Sequence, residues 1–294
     1  MENKNLIRAI SRDGSACIMA CDSTEIVNRA AEIHRTSLTM TAALGRALTA
    51  TSLMGSMLKN EGNTRTVQFK CDGPCGGICC VSDWQGNVRG YVEKPSVELA
   101  PNSLGKLDVG GAVGGGTLYV IRDLGFEEPT IGMCPIESGE IAEDITDYYA
   151  KSEQVPTACA LGVLVDKNFK CTGAGGFLVQ LLPGADEGII DKIENNLKNI
   201  SSVSRMIKDG KTPSDIINTV FEGIEYDILD ETHTEFKCNC SRERYEKIMI
   251  SLGKKELQDL KNEGEPVETV CSFCGNKYVF SLNDLDGFIS KATR

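Results

Sequence analysis

Four cysteines near the C-terminal end constrain this chain more than any other feature. Cys238-Asn239-Cys240 and Cys271-Ser272-Phe273-Cys274 form two close pairs with 30 residues between them. No other cysteine lies beyond residue 230, so the set closes at four. Four is the number of thiolates that a tetrahedral zinc takes, at about 2.3 Å each. A CxxC turn presents two sulfurs on one side of a tight knuckle, and Gly275 directly after Cys274 suits such a turn. CxC does the same where an extended chain bends. A fully thiolate set leaves no open coordination position, so the reading is one structural Zn2+ held by Cys238, Cys240, Cys271 and Cys274. His233, five residues before Cys238, is an alternative ligand, but four sulfurs already saturate a metal, and it reads as an exposed residue.

Composition sets the surroundings of that site. The chain has 294 residues, 13 cysteines and a net charge of -11. The N-terminal stretch MENKNLIRAISRDGSACIMA has no sustained apolar run and carries Glu2 and Asp13, so no secretory signal is expected. No segment has the roughly 18 consecutive apolar residues of a membrane helix. A cytoplasmic location follows, where cysteines stay reduced and serve as metal ligands or redox groups. The acidity argues against nucleic-acid or anionic-membrane partners. It sits upstream: the region beyond residue 230 is close to neutral, which marks it as a separate module.

Hydrophobic periodicity predicts an α+β chain. Thr24–Lys59 reads as helix, broken once, with Asp22, Ser23 or Thr24 at its cap and Glu61-Gly62 at its end. Strands are expected at Thr64–Lys70, Ile78–Ser82, Val88–Glu93, Leu118–Ile121, Thr130–Pro135, Ala158–Val165 and Phe177–Leu182, with Asp83–Asn87 as a hairpin connection and a helix over Ile141–Lys151. Residues 1–182 thus read as one mixed α/β core domain. Pro183-Gly184 marks a change. From there to about Asp230 strands give way to short amphipathic helices, one started by Thr212 at the cap and Pro213 after it, and ended by Gly223. Helices this short are marginal in water, so residues 183–230 read as a linker whose order depends on its dock. Residues 231–294 form the small zinc-binding domain: extended Thr234–Cys238, helix Ser241–Leu252 closed by Gly253, helix Lys254–Asn262, and a knuckle over Val267–Ser281.

A structural zinc contributes about 10–16 kcal/mol of apparent folding free energy, against the ~5–15 kcal/mol by which a whole domain is stable. Thiolates are also what oxidants attack. The module can therefore act as a switch: oxidised sulfurs lose the metal, the tail unfolds, and the linker loses its support.

At this point the sequence resembles the heat shock protein 33 family of redox-regulated chaperones. The likeness lies in FKCNCSRER (Phe236–Arg244) and CSFCGNKYVF (Cys271–Phe280), and in ATSLMGSMLK (Ala50–Lys59), DGPCGG (Asp72–Gly77), VRGYV (Val88–Val92), SEQVPT (Ser152–Thr157) and AGGFLVQLLPGA (Ala174–Ala185). It runs along essentially the full length in the same order. The resemblance implies a substrate-binding core, a metastable linker and a zinc domain, and a reduced, zinc-bound form that is inactive. Under oxidative stress, it further implies disulfides Cys238–Cys240 and Cys271–Cys274, zinc release, unfolding of linker and tail, and homodimers. The activated form would be an ATP-independent holdase for unfolding client proteins, not an enzyme. Spacing alone leaves all three pairings of four cysteines open.

Other features read more plainly. Cys71, Cys75, Cys79 and Cys80 are not part of the family motif; they form a second metal or redox site, or pack as small hydrophobes. Cys17, Cys21, Cys134, Cys159 and Cys171 read as core. Gly110–Gly116 lacks the Lys-Ser/Thr of a phosphate loop and leads into a strand, so it reads as a turn or a close backbone approach. Met40, Met54 and Met57 read as core rather than a client surface, and Ser241–Arg244 as a helix cap. Two rival functions remain in view: a thiol-disulfide oxidoreductase using Cys271 and Cys274, and a zinc-ribbon nucleic-acid binder, for which the tail lacks the positive charge.

Overall fold

The structure, a computed structural model, describes residues 4–125, 128–200 and 202–292. Two compact units divide the chain, Met1–Lys237 and Cys238–Arg294. The first opens with a hairpin of β1 (Leu6–Ser11) and β2 (Ala16–Asp22), then α1 (Thr24–His34) and α2 (Leu38–Gly55). A meander of β3 (Thr64–Cys71), β4 (Gly77–Asp83) and β5 (Val88–Val92) leads to a short α3 (Val109–Val113), β6 (Gly116–Asp123) and β7 (Thr130–Pro135). Next come α4 (Ala142–Tyr148), β8 (Thr157–Val165), β9 (Cys171–Leu181), α5 (Glu187–Lys198), α6 (Val203–Lys208), α7 (Pro213–Val220) and β10 (Tyr226–Thr232). The second unit holds α8 (Arg242–Ser251), α9 (Lys254–Asn262), β11 (Val267–Val270), β12 (Lys277–Phe280) and α10 (Leu282–Lys291). The α+β class stands. Among the described residues, no helix is long and apolar enough to cross a membrane.

Two antiparallel five-stranded sheets build the large unit, in the orders β10-β1-β2-β9-β8 and β5-β4-β3-β6-β7. Between them runs α2, which contacts strands of both sheets. Its sequence is small or apolar almost throughout, and a helix apolar all round belongs inside. The hydroxyls of Thr49 and Thr51 donate to the carbonyls of Gly45 and Ala47 at 2.8 and 2.7 Å, so its polar side chains cost little when buried. Met40 and Met54 are fully buried there. The break expected in the long helix falls at Arg35, whose φ of 51° is left-handed and ends α1.

Three elements of this unit differ from the sequence reading. The β1–β2 hairpin was not expected because β2 is central and covered on both faces, which removes the alternation that marks a half-buried strand. Its usable signal is Asp13-Gly14 between two apolar runs. Strands also do not stop before Asp230, since β10 pairs antiparallel with β1. Its Asp227, Asp230 and Glu231, with Glu225 just before it, meet Arg12, Arg8 and Lys4 in ion pairs of 3.0–3.1 Å, which local periodicity does not report. Conversely, Thr234–Cys238 forms no strand; a single parallel bridge joins Phe236 to Val88.

The short helices of residues 187–220 have their dock within this unit. Ile189 and Ile193 of α5, Val203 and Ile207 of α6, and Ile216, Ile217 and Val220 of α7, with Phe221, are buried together with Ile7, Ile18, Ala20, Phe177 and Val179 of the first sheet. Thr212 and Asp215 form a capping box with Pro213 at the first helical position, as the sequence expects. The glycine run at 110–116 is the close approach expected, with a helical turn inside it. A Cβ on Gly116, at φ 129°, would lie 2.0 Å from the Lys70 carbonyl oxygen.

Candidate metal centre

In the second unit β11 and β12 pair antiparallel, Val270 opposite Lys277, and the loop between them carries Cys271 and Cys274. That loop closes on itself: the Cys271 N–H donates to the Asn276 carbonyl at 2.9 Å, and the Gly275 N–H to the Cys271 carbonyl at 2.8 Å. Gly275 has a φ of 73°, a conformation that costs glycine nothing. Cys238 and Cys240 lie just before α8, whose start is set by the Ser241 hydroxyl accepting from the Arg244 N–H at 3.3 Å. Arg242 is occupied by Asp284 at 3.0 Å and lies over the Phe280 ring at 4.7 Å, so Ser241–Arg244 is a cap and a packing element.

The fold brings all four sulfurs within 4.8 Å of one another. Cys238 and Cys271 are 3.8 Å apart, and Cys240 and Cys274 are 3.3 Å apart. Four thiolates about 2.3 Å from a tetrahedral zinc sit roughly 3.8 Å from each other, so the spacing and the donor set both fit a metal ion of that kind. The cysteines are free thiols. His233 is not among them; it is exposed and belongs to the first unit.

Polar neighbours tune these sulfurs. Burial alone would raise the Cys271 thiol, but the N–H groups of Cys274 and Phe273 and the Tyr245 hydroxyl favour its thiolate and bring its pKa down to about 7. Burial holds the Cys238 thiol above its ordinary value. The Tyr278 hydroxyl donates to Cys240 Sγ at 3.1 Å, and that bond, then burial, pushes Tyr278 up to about 12. Asn276 Nδ2 lies 3.9 Å from the same sulfur, and the Tyr245 and Tyr278 rings stack at 4.7 Å. Asn276 and Tyr278 lie within the Cys271–Phe280 segment but were given no role there, and Tyr245 lies just outside Phe236–Arg244. Tyr245 on α8 and Tyr278 on β12 are distant in sequence and meet only because both elements border the cluster.

The other nine cysteines stay outside this cluster. Burial raises the thiols of Cys17, Cys21, Cys79, Cys80, Cys134, Cys159 and Cys171 above their ordinary value, which makes them poor nucleophiles. Among the described residues, no second group of three or more metal-binding side chains gathers at Cys71–Cys80.

A family model described as "Hsp33 protein" matches residues 4–281. A 33 kDa chaperonin of Ruminiclostridium cellulolyticum is 46% identical over 286 residues, covering 97% of this chain and 98% of the relative. One from Lachnoclostridium phytofermentans is 44% identical over 290 residues, covering 99% of each. The crystal structure of the 33 kDa chaperonin (heat shock protein 33 homolog) of Thermotoga maritima is similar at a TM-score of 0.89 with 35% identity, covering 98% of this chain and 99% of that one.

Proposed function

Because this chain belongs to the Hsp33 family, we propose that it is a chaperone of the holdase type: a binding protein, not an enzyme, that takes up unfolding clients without ATP when oxidised. The observation that carries this reading is a cluster of four thiols in a unit with very little else to hold it together. Only Met249, Leu257, Phe280, Leu285, Phe288, Ala292 and Cys271 are buried hydrophobics among its described residues. A unit of roughly 60 residues with so small a core needs a staple.

In this reading Cys238, Cys240, Cys271 and Cys274 hold one zinc ion, which when bound would supply a closed structural centre and most of the folding free energy of the tail. Tyr278 and Asn276 orient Cys240, and Tyr245 orients Cys271. Oxidation joins Cys238 to Cys240 and Cys271 to Cys274, leaving no thiolate to coordinate. In the folded tail the closest sulfurs lie across the two motifs, at 3.3 and 3.8 Å. Pairing within each motif is favoured only once the tail opens, when contacts between residues close in sequence form most readily. Residues 183–230 are the linker. Chain continuity joins it to the tail through β10, an edge strand paired only with β1 and held by exposed ion pairs worth ~0–1 kcal/mol each. Homodimers of the activated form belong to the same reading and rest on the family.

The second sheet supplies a client surface. Its outer face carries the cross-strand rows Tyr91-Cys79-Gln68-Tyr119-Met133 and Arg89-Val81-Thr66-Ile121-Ile131. Ile131 and Met133 are each 61% exposed. These two exposed apolar side chains, on the edge strand β7, are the contact we assign to clients. Replacing Ile131 and Met133 together by lysine is expected to lower the number of client molecules held severalfold while leaving zinc content unchanged; unchanged capacity would place clients elsewhere.

The decisive measurement is light scattering of a heat- or dilution-aggregated client, with the protein reduced or peroxide-treated and zinc release followed in parallel. Suppression of scattering is expected only after oxidation, rising with zinc release. Protection in both states, or in neither, overturns redox activation. Catalytic reduction of insulin disulfides by the protein with a thiol donor would instead favour an oxidoreductase.

A further inference from the structure

Taking the cluster as the oxidisable zinc site of the proposed function, on which this rests, we propose that Tyr278 sets its oxidant threshold by damping the nucleophilicity of Cys240. The Tyr278 hydroxyl donates to Cys240 Sγ at 3.1 Å, and Asn276 Nδ2 lies 3.9 Å from the same sulfur. The Tyr278 ring is fixed independently of that sulfur. Its backbone pairs with Thr269 across β11 and β12, its carbonyl accepts from the Thr269 hydroxyl at 3.3 Å, and its face stacks on Tyr245 at 4.7 Å. A ring already held in this way brings its hydroxyl to Cys240 at little further cost in side-chain entropy.

Access does not set Cys240 apart. It is half-buried, as Cys238 and Cys274 are, while Cys271 is buried. Ionisation does not set it apart either, because every sulfur that binds a metal is already a thiolate. What differs is the electron density each thiolate offers an electrophile. A donor on a thiolate draws that density down, as hydrogen bonds to ligand sulfurs do at metal centres generally. A tenfold fall in basicity lowers thiolate nucleophilicity by about threefold. Cys240 receives its donor from a hydroxyl locked in place, so it attacks more slowly than its exposure alone would give. Closing the CxC pair requires Cys240, so damping this one sulfur raises the peroxide level at which that pair responds.

The step that Tyr278 slows balances with a hydroperoxide as oxidant. The Cys240 thiolate gives an electron pair to one peroxide oxygen: the S–O bond forms, the O–O bond breaks, and hydrogen peroxide yields a sulfenic acid and hydroxide. A second thiolate then displaces hydroxide from that sulfur, the S–S bond forming as the S–O bond breaks. Two electrons have passed from two sulfurs to the peroxide, and the two hydroxides take up solvent protons as water. The thiolate loses charge as it attacks. The Tyr278 hydroxyl therefore stabilises the starting thiolate more than the transition state, which slows the first step.

The test uses the full-length, reduced, zinc-loaded protein and its Tyr278→Phe variant, which keeps the stacked ring and removes the donor. Both are treated briefly with substoichiometric iodoacetamide, and tryptic peptides are fragmented to assign the label among Cys238, Cys240, Cys271 and Cys274. In the variant, label on Cys240 relative to Cys274 is expected to rise by about threefold, with the proportions among the other three unchanged. Peroxide-driven zinc release, followed with a chromogenic chelator, is expected to quicken in parallel. Placing 3-fluorotyrosine at the same position gives a stronger donor and is expected to move the ratio the other way. That substitution also keeps the test open if the phenylalanine variant folds poorly. An unchanged Cys240 share, or a uniform rise at all four sulfurs such as a loosened tail would give, overturns the proposal. No client enters these readouts, so the holdase reading and the role of Tyr278 can each fail alone.

Discussion

Removing the metal is expected to unfold Cys238–Arg294 while the two sheets and the central helix of residues 6–181 stay folded. The reason is a difference in how the two units are held. The large unit has two five-stranded sheets, a buried central helix and two extensive hydrophobic clusters. The small one has a two-stranded sheet and a handful of buried side chains. A structural zinc site is worth about 10–16 kcal/mol, as much as or more than the ~5–15 kcal/mol by which a typical domain is stable. Without it the local caps, such as the Ser281–Asp284 capping box of α10, contribute only about 0.5–2 kcal/mol each. Hydrogen exchange after chelation should show full loss of protection over α8–α10 and little change in β1–β9. Cys271→Ser should do the same without a chelator. Retained protection in the tail of the metal-free protein would remove the physical basis of the proposed switch.

The second large effect is expected at Phe221. Its ring is 2% exposed, meets Tyr226 edge-to-face at 5.9 Å, and closes the cluster that docks α5–α7 on the first sheet. Truncating a buried Phe to Ala typically costs about 3–5 kcal/mol, and Phe221→Asp adds an unpaired buried charge. Either change should release the linker helices in the reduced, zinc-loaded protein and bare Ile7, Ile18, Phe177 and Val179. If linker release is what activates the chaperone, this variant suppresses client aggregation without any oxidant. Faster exchange over 187–220 with no reduced-state activity would separate linker unfolding from activation and overturn that step. Phe221→Ala, the milder change, serves if the aspartate variant does not fold.

Much of this was legible before any coordinates. Short-range grammar was read well: the Thr212-Pro213 start of α7, the Asp83–Asn87 hairpin connection and Gly275 after Cys274 all depend on residues a few positions apart. Misses came where a distant partner decides. β2 lost its alternation because a helix layer covers each face, and β10 exists because β1 offers it an edge and basic partners. α10 is a further difference: Ser281 and Asp284 mark its start, but they follow directly on the β12 strand of the knuckle. Tyr245 carried no signal, and Tyr278 only its place in the Cys271–Phe280 segment.

By itself the sequence determined which four sulfurs can meet and what kind of ion suits them, because ligand type, count and short spacing are chain-local properties. It also placed the chain in its family. The tertiary structure alone decided where the helices of residues 187–220 rest, which sheet face stays open, and which of the nine upstream thiols are buried. The physical reason is that burial and thiol reactivity depend on what the rest of the chain packs against each group. No periodicity along one segment encodes that.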